Sequence, residues 1–90
     1  MTFEWDNDKQ HRNLVKHGVD FQDVVRFFAN PVLEWIDNRE DYREERILSI
    51  GVTEEEYFVV VSTWRENTRR IISAWKAGRD EKEKYYDYHA

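Results

Sequence analysis

Three β-rich runs, separated by only four residues each, constrain the fold of this chain more than any other feature. RILSIGV at 46–52 leads through TEEE to YFVVVSTW at 57–64, and RENT then leads to RRIISAWKA at 69–77. Loops this short join neighbouring antiparallel strands, whereas a parallel connection needs a crossover of about a dozen residues or more. The runs therefore predict an antiparallel meander.

Capping residues predict two helices before these strands. Asp6 is a suitable N-cap for NDKQHRNLVKH, and Gly18 is the natural stop. Asp20 opens a second helix, FQDVVRFFAN, that ends before Pro31. The apolar residues of this helix follow the spacing i, i+3, i+4, i+7 of a stripe that packs on a core: Phe21, Val24, Val25 and Phe28.

The remaining segments complete a mixed architecture. VLEWI (32–36) predicts a fourth strand, TFEW at the start would add a short N-terminal strand, and the polar segment 37–45 predicts a turn or mobile loop. After Gly78, RDEKEKYYDYHA has the composition of a terminal helix. We predict an α+β fold in a single domain over residues 1–90: two N-terminal helices, an antiparallel meander sheet of about four strands and a C-terminal helix, with the helices on one sheet face.

Composition narrows the classes of function. The chain has no cysteine, which excludes disulfides, thiolate metal sites and a cysteine nucleophile. The acidic start lacks signal-peptide character and no apolar run approaches membrane-spanning length, so we expect a cytoplasmic protein with no membrane partner. The net charge is −5, yet residues 65–84 hold seven basic against four acidic residues. A polyanion can bind there, while the acidic remainder suits a basic protein partner.

Familiar catalytic motifs are missing from the sequence. His11 and His17 are six residues apart and lie on different sides of a helix, and no HExxH, phosphate loop, dinucleotide fingerprint or nucleophile elbow occurs. We therefore expect neither a metal nor a cofactor. The acidic clusters predict solvated turns. Glu45 differs because Arg46 follows it at a strand start, where a guanidinium would orient the carboxylate as a general base.

The C-terminal cations are the functional candidates, namely Arg65, Arg69, Arg70, Lys76 and Arg79. Arginine forks bind phosphate oxygens bidentately, and RNA carries its own 2′-hydroxyl nucleophile, so a base, an acid and cations suffice for cleavage. Edge protection with surface ion pairs is the competing explanation, and composition alone favours it slightly. Trp75 fits either sheet packing or base stacking, and Tyr85 and Tyr86 fit either helix docking or a partner surface.

Strand alternation also assigns faces to the last strand. It puts Arg70, Ile72, Ala74 and Lys76 on one side of the sheet, and Arg69, Ile71, Ser73 and Trp75 on the other. One sheet face would thus carry cations at its ends with aliphatic residues between them, as a shallow site for a polyanion.

The order and spacing of several motifs resemble the BrnT family of toxins from bacterial type II toxin–antitoxin modules. They are FEWD near the start, KHGVDF at 16–21, an aromatic-rich helix ending in NP, EER before a strand that ends in glycine, and RRIISA near the end. This resemblance covers nearly the whole chain. It implies a RelE-like fold, a ribonuclease activity that inhibits translation, and a hetero-oligomer with a neutralising BrnA-like antitoxin, which alone contacts the operator DNA.

The resemblance also implies roles for individual residues. Arg70 and Arg79 would hold the scissile phosphate, Lys76 would protonate the leaving oxygen, and Glu45 or His17 would act as the base. We assign further RNA contacts to Arg46, Arg65, Arg69 and Trp75, and antitoxin contacts to Tyr85 and Tyr86. Where many relatives have ISAR this sequence has ISAW, so Trp75 stands where a cation is common.

Two alternatives stay open at this point. The first is a relative with weakened catalysis that only binds its antitoxin, and the second is a nucleic-acid-binding domain without chemistry. Expression of the chain alone separates a nuclease toxin from both alternatives, because only the toxin arrests growth and degrades RNA. A binding domain shows salt-sensitive RNA binding with no cleavage products.

Overall fold

A five-stranded sheet forms the centre of the molecule, in a computed structural model that describes residues 1–89. The strands are β1 (Thr2–Trp5), β2 (Leu33–Ile36), β3 (Ile47–Thr53), β4 (Glu56–Arg65) and β5 (Thr68–Lys76). Their order across the sheet is β1-β5-β4-β3-β2. Strands β2 to β5 form the antiparallel meander expected from the short loops.

Strand β1 makes the sheet larger than predicted. TFEW pairs in parallel with β5, so that Phe3 lies opposite Arg69 and Trp5 lies opposite Ile71. The chain between β1 and β5 is long enough for such a crossover. The sheet therefore has five strands where about four were predicted, and the fifth is the optional N-terminal strand. It covers the edge of β5 that the meander alone would leave open.

Three α-helices accompany the sheet: α1 (Asn7–His17), α2 (Phe21–Val24) and α3 (Arg79–His89). The predicted caps of α1 are confirmed, because the Asp6 carboxylate accepts from two backbone N–H groups and Gly18 ends the helix with φ +69°. The predicted second helix is wrong in type beyond Val24, since Val25–Ala29 is a 3₁₀ helix. Two adjacent β-branched residues stand at the changeover, where an α-helix is intrinsically weak.

Helices cover both faces of the sheet, contrary to the prediction of one. Alternate residues of β4 point to opposite sides, and all are buried: Phe58 and Val60 on one side, Val59 and Val61 on the other. The first side packs against α2 and the 3₁₀ helix through Phe21, Val24 and Phe27. The second packs against Tyr85 of α3. A strand that is apolar on both faces requires cover on both.

A bulge in β5 changes which of its residues share a face. Val61 pairs with Ser73 while the next residue, Ser62, pairs with Ile71, so Ile72 is an extra residue in the ladder. Ile71 and Ala74 consequently belong to the same core cluster, although strict alternation puts them on opposite faces. The predicted partition of β5 is wrong beyond this point, because a bulge shifts the alternation by one residue.

The two hairpins are tighter than the four-residue loops predicted. Only Glu54 and Glu55 separate β3 from β4, and both have positive φ, 52° and 68°. Glu66, with φ 56°, begins the equally short turn between β4 and β5. Two-residue turns with positive φ match the right-handed twist of paired strands, which accounts for the shorter loops.

Candidate nucleic-acid groove

A groove of about 700 Å³ opens where the end of α1, the β2–β3 loop and β5 meet. We call it the basic groove. Its lining combines five basic side chains with an indole and three smaller residues: Lys16, His17, Arg39, Arg46, Lys76, Trp75, Val61, Ile72 and Ser73. No carboxylate lines it within residues 1–89. The groove therefore concentrates positive charge on a chain whose net charge is −5.

A more enclosed cleft of about 320 Å³ shares Lys76 with the basic groove and has the opposite character. Four carboxylates line it, those of Asp20, Asp23, Glu54 and Glu56, together with the cations Arg26 and Lys76. Clefts lined by one sign of charge raise the local concentration of ligands of the other sign. The basic groove, and not this cleft, is suited to a polyanion.

Asn13 attaches the basic end of α1 to β5. Its buried side-chain amide donates to the carbonyls of Val19 (3.0 Å) and Ala74 (2.9 Å), and its oxygen accepts from Ala74 N (3.1 Å) and Ser73 Oγ (3.2 Å). The bonds fall just beyond the bulge, next to the groove. They place His17, one helical turn further along α1, with its ring centroid 6.1 Å from that of Trp75.

Trp75 is half-buried at the floor of the groove and is anchored by α3. Its indole N–H donates to one carboxylate oxygen of Glu81 (3.4 Å), while the other oxygen accepts from the Gly78 backbone (2.8 Å). Because the bulge has shifted the alternation of β5, Trp75 belongs to the cluster on the α3 side of the sheet. Its position is thus fixed by the ladder and by α3 together.

The β2–β3 loop supplies two further cations. The Asp37 backbone N–H donates to the Arg46 carbonyl (2.8 Å), which closes the base of the loop. The Arg46 guanidinium carbon lies 4.1 Å from the centre of the Tyr42 ring. Arg39 forms a two-bonded ion pair with the buried Asp37 carboxylate, with both distances 2.8 Å. A segment expected to be only a polar turn or mobile loop therefore carries part of the site.

The Asp37 pair predicts a specific acid sensitivity. Side-chain hydrogen bonds from Arg39 lower the pKa of Asp37 from 3.8 to about 2, against the opposing effect of burial. Since the folded-state pKa lies below the unfolded value, the stabilisation is complete above about pH 4 and is lost as the pH falls towards 2. Asp37→Asn should flatten this acid dependence in urea unfolding curves measured from pH 2 to 5. Asp41→Asn, an exposed carboxylate of the same loop, is the control; an Asp37→Asn slope equal to wild type would contradict the assignment.

The structure brings four of the predicted site residues together and adds two that the sequence did not reveal. His17, Arg46, Trp75 and Lys76 all line the basic groove. The additions are Lys16, which appeared only within the KHG motif, and Arg39. A signal for Arg39 was present, because aspartate at the end of a strand commonly bonds to the backbone two residues on, and here Asp37 does so.

Other predicted residues lie outside the groove. Arg70 pairs with Glu4 of β1 (2.9 Å), and six residues of extended strand place it about 20 Å from Lys76. Arg79 is exposed at the start of α3, 3.3 Å from Glu83. Arg65 and the Glu45 side chain are exposed, and neither lines the groove. Of the predicted cluster of Arg70, Lys76 and Arg79, only Lys76 lines the basic groove.

Arg69 is a core residue. Its side chain is 4% exposed, and its Nη1 donates to Glu34 (2.6 Å) and Ser62 (3.2 Å) across the sheet. The rings of Phe28 and Trp64 lie 4.3 and 4.6 Å from the guanidinium carbon. These contacts hold the Arg69 guanidinium within the sheet, and Arg69 does not line the basic groove.

The two tyrosines predicted to contact a partner have different environments. Tyr85 is buried, packs on Tyr57, and donates from its hydroxyl to the Pro31 carbonyl (2.9 Å). Tyr86 is 55% exposed on α3, and Tyr88 is similarly open. Of the three tyrosines Tyr85, Tyr86 and Tyr88, only Tyr86 and Tyr88 are exposed enough to contact another protein.

Within residues 1–89, no group of three or more His, Cys, Asp or Glu side chains is arranged to hold a metal ion. None of the helices in the same residues has the length and apolarity needed to cross a membrane.

The fold and the basic groove together define a class, a small α+β protein with a cationic, tryptophan-bearing groove suited to a polyanion. The sequence model of the family described as "Ribonuclease toxin, BrnT, of type II toxin-antitoxin system" matches residues 5–81. The chain belongs to this family, which confirms the resemblance seen in its motifs. No curated protein matches the chain. Family membership supports a ribonuclease role as the toxin of a type II module.

Proposed function

We propose that this chain is a single-domain, RelE-like cytoplasmic toxin that cleaves RNA in the basic groove without a metal and so inhibits translation. The observation that carries the proposal is the convergence of five basic side chains and Trp75 in one groove of an acidic protein. Cations that line a groove track a nucleic-acid backbone, and an aromatic ring among them stacks a base.

The reaction would be a transesterification in which the RNA supplies its own nucleophile. The 2′-oxygen forms a bond to phosphorus, and the bond from phosphorus to the 5′-oxygen breaks, leaving a cyclic phosphate and a 5′-hydroxyl. His17 takes the proton of the 2′-hydroxyl, and Lys76 gives a proton to the departing 5′-oxygen. Arg46 and Lys16 stabilise the additional charge on the phosphate oxygens. Of the two bases predicted, His17 is preferred over Glu45 because it lines the groove.

Neutralisation would come from a BrnA-like antitoxin that also carries the operator contacts. Two features support such a partner. The exposed rings of Tyr86 and Tyr88 provide an aromatic surface on α3, and β2 is an edge strand with one side unpaired. The net charge of −5 favours a basic partner segment. Contact with DNA would then be indirect.

Purified protein and an RNA substrate in excess EDTA test the chemistry. Cleavage should persist in EDTA, and His17→Ala and Lys76→Ala should each slow it by about a hundredfold, the scale of general acid–base catalysis. Both side chains are exposed, so the variants should fold. The double variant Arg70→Ala/Arg79→Ala is the control that removes two predicted catalytic cations outside the groove. If it abolished cleavage while the groove variants cut normally, the active site would lie elsewhere.

The second candidate function is a binding module with little cleavage activity. It is favoured by Trp75, which stands where many relatives have arginine. Expression in cells distinguishes it from a nuclease. Expression of the chain alone should arrest growth and degrade RNA, and co-expression with a cognate antitoxin should restore growth. Salt-sensitive RNA binding without cleavage products would establish the binding module instead.

A further inference from the structure

Arg39 makes three hydrogen bonds to a single carboxylate, that of Asp37. Its Nε and Nη2 donate to the two oxygens of Asp37, and its backbone N–H donates to the same carboxylate (3.2 Å). The carboxylate side chain is fully buried, while the arginine side chain is 56% exposed. Two parallel bonds from the guanidinium to one buried carboxylate restrict its orientation. The pair therefore fixes the direction of the guanidinium in addition to the stability that it contributes above about pH 4.

That direction is towards the basic groove. Arg39 lines the groove, with its guanidinium carbon 5.7 Å from the centre of the Trp75 ring system. A two-bonded pair occupies only part of the planar donor fork, so other N–H groups are left for a ligand. Because the lowered pKa of Asp37 keeps the carboxylate ionised above about pH 4, the pair persists at neutral pH. Arg39 thus presents a fixed positive charge beside an aromatic ring.

We propose that Asp37 is a positioning residue that fixes Arg39 beside Trp75, and that the two groove residues bind one unpaired nucleotide, its phosphate on Arg39 and its base against Trp75. This inference rests on the proposed function, since it assumes that RNA occupies the groove. It goes further by naming the substrate class, single-stranded RNA, and by giving the β2–β3 loop a role in recognition.

The preference for single-stranded RNA follows from the proposed stacking of a base on the Trp75 indole. A base can stack on an indole only when it has left its neighbours, and in a duplex both faces of each base are already covered. The groove is about 700 Å³, within the usual range for small-ligand sites and open to the surface. A fixed cation next to the ring adds a phosphate contact without the entropic cost of ordering a free arginine.

Binding of a 2′-O-methyl RNA oligonucleotide, which lacks the nucleophile, tests the inference without cleavage. Fluorescence anisotropy should show wild type binding the single strand more tightly than the same sequence in a duplex. Arg39→Gln should weaken single-strand binding about tenfold, as expected for one charge-assisted hydrogen bond, and lower the salt slope by about 0.7. Arg43→Gln is the matched control, because it removes an exposed cation of the same loop that does not line the groove.

A double-mutant cycle separates positioning from structure. Asp37→Asn should weaken binding in the wild-type background and have no further effect when Arg39→Gln is present. Equal losses in both backgrounds would show a purely structural role and overturn the inference. If Asp37→Asn does not fold, Arg39→Lys provides the test. Lysine keeps the positive charge but cannot make the two parallel hydrogen bonds to Asp37, so binding should weaken. Full retention of RNA binding by Arg39→Lys would contradict the positioning role.

The possible failures are distinguishable. If wild type bound no RNA, both the proposed function and this inference would fall. If His17→Ala or Lys76→Ala weakened binding while Arg39→Gln did not, only the inference would fall. Equal affinity for single strand and duplex would exclude the unpaired nucleotide.

Discussion

Replacing Arg69 by alanine is expected to lower the free energy of unfolding by about 3 kcal/mol, the low end of the range for breaking a buried ion pair. The low end applies because the Glu34 side chain keeps 32% of its exposure. The variant also removes the guanidinium from between Phe28 and Trp64. For a domain of this size the corresponding fall in Tm is about 12 to 24 °C. Urea unfolding and thermal melting measure both quantities.

The neighbouring arginine is a close control. Arg70 also pairs with a glutamate, Glu4 of the neighbouring strand β1, but its side chain is 25% exposed. Arg70→Ala should cost no more than about 1 kcal/mol, the scale of exposed pairs. Arg69→Met combined with Glu34→Met should recover much of the stability, because two apolar groups can replace a buried pair. Equal losses for the two arginine variants would show that burial of Arg69 is not responsible.

Replacing Asn13 by aspartate is expected to lower the free energy of unfolding by about 3 kcal/mol, because the carbonyls of Val19 and Ala74 would lose their donor and face a carboxylate. RNA cleavage should also fall, measured where the variant is still folded, since Asn13 holds α1 and His17 against β5. Denaturant unfolding and the cleavage assay report the two effects separately.

Asn30→Ala is the control for this prediction. Asn30 is exposed and donates a single side-chain hydrogen bond, to the Val52 carbonyl (2.9 Å). Its loss should cost about 1 kcal/mol or less. Cleavage should be unchanged, as Asn30 does not line the basic groove. A cleavage defect in Asn30→Ala as large as in Asn13→Asp would argue against a specific link between α1 and the site.

Rules that use only neighbouring residues correctly predicted the features of the fold that are set by local sequence. The caps at Asp6 and Gly18 and the meander followed from capping preference and loop length, and both are confirmed. Pairing of β1 with β5 joins residues 66 positions apart, Thr2 and Thr68, and no local pattern specifies it. The bulge at Ile72 likewise depends on the register of β4, so the faces of β5 could not be assigned by alternation.

The residues of the candidate site show the same difference between what local sequence specifies and what the whole fold specifies. Motif resemblance identified His17, Arg46 and Lys76, and the pattern of an aromatic residue among cations indicated Trp75; all four line the basic groove. Neither could show that Arg69 is buried, since an arginine next to another arginine in a strand has the same local sequence whether it faces solvent or core. Arg39 was missed because its importance comes from a buried carboxylate two residues earlier, and burial is a property of the whole fold.

The parallel pairing of β1 with β5 has a consequence for synthesis on the ribosome. Strand β1 is synthesised first, but its only neighbour in the sheet is β5, so β1 cannot pair until β5 has been translated. Contacts between distant residues form late and slow the folding of small domains. The groove waits for the same strand, because Trp75 and Lys76 belong to it. A nascent chain that has not yet reached β5 therefore has neither the complete sheet nor the basic groove in which we propose that RNA is cleaved.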